Sequence, residues 1–277
     1  MNYRDSRKML TTNRLRESLK AYTLDELLDG LAHTLKKRPA DRETRRALTT
    51  LYCIDGQWNK ALLQAEILHA INDEKVKEGE LLKNLILSEI IREKVLNGER
   101  TASLLDGEHS SWIDLLQQAN QAEFAGEASQ ADHLRSLAFD QARATPGHSE
   151  QTGEFNWIAD GDGRLGPLCE FICAGGYRWI PFESIRSIKT MPPLTLSDLL
   201  WLPATLEINE RVWHGYLPAR YPLKVNTPTS CKLGDETRWE PVSENVSHGV
   251  GRKMWITDSQ DVSVMEMREA TFAMQEG

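Results

Sequence analysis

The stretch Leu168–Ile180, LCEFICAGGYRWI, decides the fold of the second half of the chain. Its first part, Leu168–Ala174, is an almost continuous apolar run, which is typical of a buried strand. Gly175 and Gly176 then supply two residues that adopt positive φ without strain, and Tyr177–Ile180 returns as a second strand. The sequence therefore predicts an antiparallel hairpin here.

Further strand patterns follow this hairpin. Thr205–Ile208 with Val212–Leu217 predicts a second hairpin, and Lys253–Thr257 with Val262–Met267 predicts a third. Alternating strands divided by turn signals are typical of a small, mostly antiparallel sheet or an open barrel. We therefore predict a β-rich C-terminal domain over residues 154–277.

Tryptophan is concentrated in the same half, where six of the eight in the chain lie beyond residue 150. Most are expected to fill the core of the sheet domain, and the others could form a binding face. Between the predicted hairpins, Thr195–Leu200 has the pattern of a short helix.

The first half of the chain has the periodicity of helices. Thr23 and Glu26 form a capping box ahead of leucines at helical spacing, and Pro39 follows that segment. Similar patterns continue, and the longest predicted helix covers Asp73–Leu96. We therefore predict a helical N-terminal domain over residues 1–145, which makes the fold class α+β.

One pair of these helices has the spacing of a tetratricopeptide-like unit. Leu48, Tyr52, Gly56, Trp58 and Ala61 follow that pattern, in which small residues let antiparallel helices approach closely and aromatic residues fill the gap. Gly56 lies between the two helices, where a positive φ is often required, and Trp58 is expected to be buried. No second clean copy follows, so the alternative of a plain helical hairpin without a binding groove stays open. Arrays of such units usually present a groove to a peptide or helix.

The polar, turn-rich segment 144–153 separates the two patterns and is the predicted linker. The formal net charge is -8, with +5 in residues 1–50 and -13 in the remainder. The basic leader would suit an acidic partner or the solvated side of helices. The acidic remainder argues against nucleic acid as a partner, because phosphate contacts need a basic face.

The apolar runs are all too short to span a bilayer, and no apolar segment follows the basic N-terminus as it would in a secretory signal. We therefore expect a cytoplasmic protein with no membrane partner. The four cysteines lack zinc-type spacing and are expected to be buried, inert thiols.

The sequence offers little chemistry for catalysis. The histidines are scattered, and the hydrolase, phosphate-loop and dinucleotide-binding motifs are missing. The loop Asp160–Arg164, DGDGR, resembles the start of a calcium loop, but Arg164 and Phe171 stand where oxygen ligands belong. A turn in which Arg164 pairs with an aspartate is the predicted structure. We predict no catalytic residues, cofactor or metal; the alternative is a hydrolase or ligand-binding regulator whose site forms no sequence motif.

Four motifs of the second half resemble the ImpE family, also called TagJ or SciE-type, of type VI secretion accessory proteins. They are the block Phe155–Pro167, the segment Tyr177–Phe182, the segment Asp198–Ala204 and the segment Leu217–Tyr221. The resemblance extends to the helical unit around Gly56, where its motifs are generic.

The resemblance implies a tetratricopeptide-like helical array before a sheet domain, and no enzymatic activity. It implies binding to a helical segment of the small subunit of the contractile sheath (TssB-like), with an indirect link to the ClpV unfoldase that recycles the sheath. Aromatic and arginine side chains are the residues that most often dominate interfaces. The candidate partner-binding residues are accordingly Tyr52, Trp58, Trp157, Arg164, Trp201, Arg220 and Tyr221.

Overall fold

The computed structural model describes residues 12–70, 76–105, 110–244 and 246–273. These residues form two compact units. The helical unit comprises the described residues up to Glu89 together with Pro193–Leu200. The sheet unit comprises Ile90–Pro192 and the described residues from Trp201 onward.

The helical unit is built from successive α-helices, as the periodicity predicted. Their bounds are α1 Thr12–Ala21, α2 Leu24–Lys37, α3 Arg42–Ile54, α4 Trp58–Ala70 and α5 Val76–Leu96. The start predicted for α5, at Asp73, lies outside the described residues. No helix in the described part of the chain is both long and apolar enough to cross a membrane.

The capping box before α2 is confirmed. The amide of Glu26 donates to Thr23 Oγ1 at 3.2 Å, and the amide of Thr23 donates to Glu26 Oε2 at 2.8 Å. Two amide donors that the helix itself cannot satisfy thereby gain partners. The leucines that follow at helical spacing are buried: Leu24, Leu27, Leu28, Leu31 and Leu35.

The turn between α3 and α4 has the conformation that its glycine suggested. Gly56 has a φ of +74°, in the left-handed region that glycine enters without a Cβ clash. The amide of Gln57 closes the turn by donating to the carbonyl of Tyr52 at 2.9 Å. Trp58, the first residue of α4, is buried against the unit with 8% of its surface exposed.

Two features of the units differ from the predicted domains. Helix α5 contributes Val76–Glu89 to the helical unit and Ile90–Leu96 to the sheet unit. The segment Pro193–Leu200 lies within the predicted sheet domain, yet it packs with the helical unit. Its predicted short helix is a 3-10 turn at Ser197–Leu199. That residues 1–145 and 154–277 fold as separate domains stays a prediction.

The sheet unit contains an antiparallel eight-stranded sheet in the order β2-β1-β13-β6-β7-β8-β4-β5, with a three-stranded sheet (β12-β11-β3) and a two-stranded sheet (β10-β9). The strands are β1 Gly147–Ser149, β2 Gly153–Phe155, β3 Ile158–Asp160, β4 Leu168–Cys173, β5 Gly176–Pro181, β6 Ile185–Thr190, β7 Trp201–Ile208, β8 Arg211–Pro218, β9 Thr237–Pro241, β10 Ser247–Gly251, β11 Met254–Thr257, β12 Asp261–Ser263 and β13 Glu269–Phe272.

All three predicted hairpins are present as the pairs β4–β5, β7–β8 and β11–β12. In the third, the second strand is Asp261–Ser263 and does not extend to Met267. The sheet unit also contains helices α6 Ser111–Phe124, α7 Ala128–Gln141 and α8 Thr229–Lys232. The predicted linker is not a free loop, because Gly147–Ser149 and Gly153–Phe155 pair as β1 and β2. Local turn residues signalled a boundary, but they form the tip of an edge hairpin.

Aromatic side chains fill the core of the sheet unit. Phe182 packs edge-on against Trp255 with ring centroids 5.4 Å apart, and Phe155 meets Phe272 at 6.1 Å. Of the six tryptophans beyond residue 150, three are buried in this unit (Trp179, Trp201 and Trp255). Trp213 is half-buried, and Trp157 and Trp239 are exposed by 38% and 41%.

Candidate interaction site

The loop Asp160–Arg164 forms the predicted arginine–aspartate turn. Asp162 accepts hydrogen bonds from the Arg164 amide at 3.0 Å, from Nε at 2.8 Å and from Nη2 at 2.5 Å. Burial alone would raise the pKa of Asp162, but the Arg164 guanidinium and His248 lower it to about 2. The carboxylate is therefore ionised and serves as the centre of the turn.

Gly161 is needed in this loop for space. A Cβ at this position would lie 2.4 Å from the ring of Trp239, which covers the loop. The Trp239 ring in turn packs beside Tyr221, with ring centroids 5.7 Å apart. A larger residue would have to displace this ring from the loop.

Glu170 is the centre of a buried ion cluster that the sequence did not reveal. Arg92 of α5 donates to both of its oxygens, Nε to Oε1 at 2.7 Å and Nη2 to Oε2 at 2.9 Å. Lys253 Nζ donates to Oε2 at 2.6 Å, and the Tyr177 hydroxyl donates to Oε1 at 2.5 Å. Burial opposes ionisation, but Arg92 and Lys253 lower the pKa of Glu170 below its usual range.

Asp160 extends the same cluster from the end of β3. Its carboxylate pairs with Lys253 Nζ and lies 3.0 Å from the hydroxyl of Tyr221. Burial raises the pKa of Asp160 to about 6, since the nearby Lys253 only partly offsets the lost hydration and Glu170 adds repulsion. Lys253 also lies over the Tyr221 ring, with Nζ 4.7 Å from its centroid.

The cluster is closed to solutes. Every member is at most 4% exposed: Arg92, Asp160, Asp162, Arg164, Glu170, Tyr177, Tyr221 and Lys253. Within the described ranges there is also no group of three or more histidine, cysteine, aspartate or glutamate residues placed to hold a metal ion. The arrangement therefore fixes α5, β3, β4 and the start of β11 together rather than offering a binding site.

A second cluster connects the α6–α7 helices to the β10 strand. Arg135 Nη2 donates to Glu123 Oε2 at 2.7 Å and to Asn120 Oδ1 at 3.1 Å. His248 Nε2 lies 2.9 Å from Glu123 Oε1. The side-chain amide of Asn120 donates through Nδ2 to the backbone carbonyl of Arg164 at 3.1 Å, so this cluster also holds the DGDGR loop.

Most of the candidate partner-binding residues lie beneath the surface of their units. Arg164, Trp201, Arg220 and Tyr221 are each at most 4% exposed, and Trp58 is 8% exposed. These buried side chains support the fold. A partner that binds the folded chain has little direct access to them.

Two candidates remain accessible. Tyr52 is half-buried in the helical unit, where Lys60 Nζ lies 5.6 Å from the centroid of its ring. Trp157 is partly exposed in the sheet unit. The structure does not bring all seven candidates together: Tyr52 and Trp58 belong to the helical unit, and the other five belong to the sheet unit. Their role in partner binding stays a prediction.

Each unit presents apolar side chains to solvent. In the helical unit these include Tyr22, Leu63 and Leu81, of which Leu63 is 54% exposed. In the sheet unit, a groove of about 400 Å³ crosses strands β6, β7 and β8 and is lined in part by Met191, Pro203, His214 and Tyr216. These surfaces offer apolar contact, whereas the ion cluster around Glu170 is buried.

Comparison with known proteins identifies the family. The family model described as ImpE protein matches residues 152–271. TagJ of Pseudomonas aeruginosa, a type VI secretion system accessory component, is 33% identical over 260 residues, which is 92% of this chain and 90% of TagJ. The chain belongs to the ImpE family. It is a homologue of a type VI secretion accessory component, as the motifs indicated.

The ImpE fold is shared with a solved structure. The crystal structure of protein VPA1032 from Vibrio parahaemolyticus matches with a TM-score of 0.85, covering 94% of this chain and 97% of that one at 22% identity. At this identity the match shows the fold alone. The family match covers the DGDGR loop, Glu170 and Lys253, so the ImpE region contains most of the buried ion cluster.

Sequence reasoning missed Arg92, Glu170 and Lys253 as members of one cluster. A signal was present, because Glu170 is a charged residue inside the apolar run Leu168–Cys173. A buried carboxylate requires a cationic partner. The partners stand 78 residues before it and 83 residues after it, so no local pattern links them.

Proposed function

We propose that this ImpE protein is a non-enzymatic adaptor of a type VI secretion system that binds a helical segment of the small sheath subunit in the cytoplasm. Through this contact it would modulate sheath assembly or the recycling of the sheath by ClpV. The observation that carries the proposal is the 33% identity to the accessory component TagJ over 92% of the chain.

The helical unit supports a role in protein binding. Its helices α3 and α4, joined at the Gly56 turn, contain the residues whose spacing resembles a tetratricopeptide-like unit. Exposed leucine and tyrosine side chains of this unit, such as Leu63 and Tyr22, offer apolar contact. An amphipathic helix that lies in a groove is bound through apolar anchors at i, i+3, i+4 and i+7.

The charges of the sheet unit support an adaptor rather than a hydrolase. Its most perturbed carboxyl groups, Asp160, Asp162 and Glu170, each use their oxygens to hold cationic or hydroxyl groups of the fold. Perturbed titrating groups mark active sites only when they line a cleft that a substrate can enter. Here they are sealed from solvent.

Calorimetric titration tests the proposal. The full chain is titrated with the purified small sheath subunit and with synthetic peptides of its predicted helices. We expect binding with a Kd of about 1 µM or tighter to one peptide, lost when its apolar anchors are changed to alanine. Because apolar burial dominates, raising the salt concentration should change this affinity little.

A pair of variants locates the contact. Leu63→Ala removes an exposed apolar side chain of the helical unit, and Val212→Ala removes a comparably exposed one from the sheet unit. A contact on the helical unit would weaken peptide binding in the first variant and leave the second unchanged. Absence of heat with every sheath component would refute the proposed function.

A further inference from the structure

The segment Pro193–Leu200 packs with a unit other than that of its neighbours in the chain. Residues up to Pro192 and from Trp201 onward belong to the sheet unit, but these eight residues group with the helices. A loop that merely connected β6 and β7 would need no apolar anchoring. This segment is PLTLSDLL, with four leucines in eight residues.

Its conformation is that of a short helical turn with one apolar side. Leu196, Leu199 and Leu200 stand at i, i+3 and i+4, and they are 1%, 6% and 2% exposed. Leu194 lies in the same segment but is 74% exposed. The three buried leucines thus have the spacing of the apolar anchors by which a helix binds in a groove.

The turn is held in this form by its own side chain. Asp198 Oδ2 accepts hydrogen bonds from the amides of Leu194 and Thr195, each at 2.8 Å. At the other end, the Leu200 amide donates to the carbonyl of Ser197 at 3.0 Å. The segment is therefore preorganised, and its single charged group is used within the turn.

We propose that Pro193–Leu200 is an intramolecular occupant of the surface on which the helical unit receives its partner helix. The partner presents the same leucine-type anchors and must displace this segment to dock. This regulation rests on the proposed function, because it assumes that the partner is an amphipathic helix. While Pro193–Leu200 occupies this surface, the chain binds the partner helix more weakly than it would with the surface open.

The expected size of the effect follows from competition. A segment tethered at both ends has a high effective concentration, so it occupies its site most of the time. The apparent Kd for a competing helix rises in inverse proportion to the fraction of molecules whose site is open. Removing the anchors should therefore tighten partner binding by about tenfold or more.

A variant of the full chain tests the competition. Leu196→Ser, Leu199→Ser and Leu200→Ser together remove the three buried anchors, and Leu194→Ser is the matched control at an exposed leucine of the same segment. Titration with the sheath peptide should give a lower Kd for the triple variant and an unchanged Kd for the control. An equal or higher Kd in a folded triple variant would overturn the proposal.

Hydrogen exchange on the unmodified chain gives a second readout, which does not depend on the variant folding. The Leu199 and Leu200 amides are hydrogen-bonded within the turn and should exchange faster once the sheath peptide is bound. Unchanged or slower exchange at these amides, with the peptide bound, would contradict displacement.

A third titration separates this inference from the proposed function. A synthetic peptide of residues 191–202 is added to the triple variant. If this peptide binds while no sheath peptide does, the sheath assignment fails, and what remains is the binding of this segment to the helical unit without a sheath helix as its competitor. If a sheath peptide binds the triple variant but the 191–202 peptide does not, the occupant is wrong and the proposed function stands.

Discussion

Arg92 and Glu170 form a bidentate ion pair in the interior of the sheet unit, with Nε–Oε1 and Nη2–Oε2 distances of 2.7 and 2.9 Å. The pair fastens the C-terminal end of helix α5 to the central part of strand β4. Arg92 Nη2 also donates to the carbonyl of Arg220 at 3.0 Å, so one guanidinium holds two segments of the unit. The Glu170 carboxylate also accepts hydrogen bonds from Lys253 and Tyr177.

We predict that Glu170→Gln destabilises the sheet unit by about 3–5 kcal/mol, because it removes the buried negative charge that Arg92 and Lys253 share and leaves Lys253 with Asp160. Urea unfolding followed by tryptophan fluorescence measures the loss. Glu269→Gln is the control, since Glu269 pairs with Lys189 on the surface and should leave the unfolding midpoint unchanged. Equal midpoints for wild type and Glu170→Gln would show that the pair contributes nothing to stability.

Asp160 gives the sheet unit a characteristic dependence on pH. Its pKa is about 6 in the folded chain and 3.8 as the ordinary value, so between these pH values the folded state holds a proton that the unfolded chain has lost. The contribution of Asp160 to the free energy of unfolding is therefore complete below pH 3.8 and decreases as the pH rises to about 6. Asp160→Asn should remove this decrease.

Urea unfolding of both chains at several pH values between 4 and 7 measures the effect, which the shift places on the order of 3 kcal/mol. Asp162 provides a control of opposite sign. Its pKa is lowered from 3.8 to about 2, so its contribution is complete above 3.8 and is lost as the pH falls towards 2. Parallel curves of unfolding free energy against pH for wild type and Asp160→Asn, between pH 4 and 7, would rule out the proposed titration of Asp160.

Trp58 should be a major source of stability for the helical unit. It is 8% exposed at the start of α4, directly after the Gly56 turn. Trp58→Ala is expected to lower the free energy of unfolding by about 3–5 kcal/mol through lost burial and the cavity left behind. Trp157→Ala, at a tryptophan that is 38% exposed, should cost much less in the same chemical denaturation. Comparable losses in both variants would contradict this difference.

The β7–β8 turn offers a stabilising substitution. Asn209 and Glu210 have φ values of +49° and +61°, as a two-residue hairpin loop with a type I′ turn requires. Glu210→Gly relieves the Cβ strain at this position and should raise the free energy of unfolding by about 0.5–1 kcal/mol. Glu154→Gly, in the extended strand β2, should have the opposite sign. Thermal unfolding of both variants distinguishes these signs.

Local patterns predicted the elements of the fold well. The Thr23 capping box, the glycine turn at Gly56 and the hairpin at Gly175–Gly176 depend on residues a few positions apart, and all three are confirmed. The pairing of Arg164 with an aspartate was also predicted correctly, because its partner Asp162 is only two residues away. The resemblance to the ImpE family gave the type VI secretion context, which the homology to TagJ supports.

Grouping of the elements could not be predicted in the same way. The turn-rich segment around Gly147 indicated a linker, but strand pairing absorbs it into the large sheet. Helices α6 and α7 have ordinary helical patterns, and tertiary contacts such as those of Glu123 and Asn120 place them with the sheet. The sequence pattern of Pro193–Leu200 does not indicate which unit this segment packs with.

The sequence by itself determined the helical and strand-rich halves, their turns and the family, because these depend on periodicity, glycine conformation and short motifs. Only the tertiary structure decided that Arg92, Glu170 and Lys253 meet, and that Pro193–Leu200 packs with the helices. A buried charge requires a partner, and an apolar turn requires a surface to cover it, but neither requirement specifies where along the chain the other group lies. That choice is made by the packing of the whole chain.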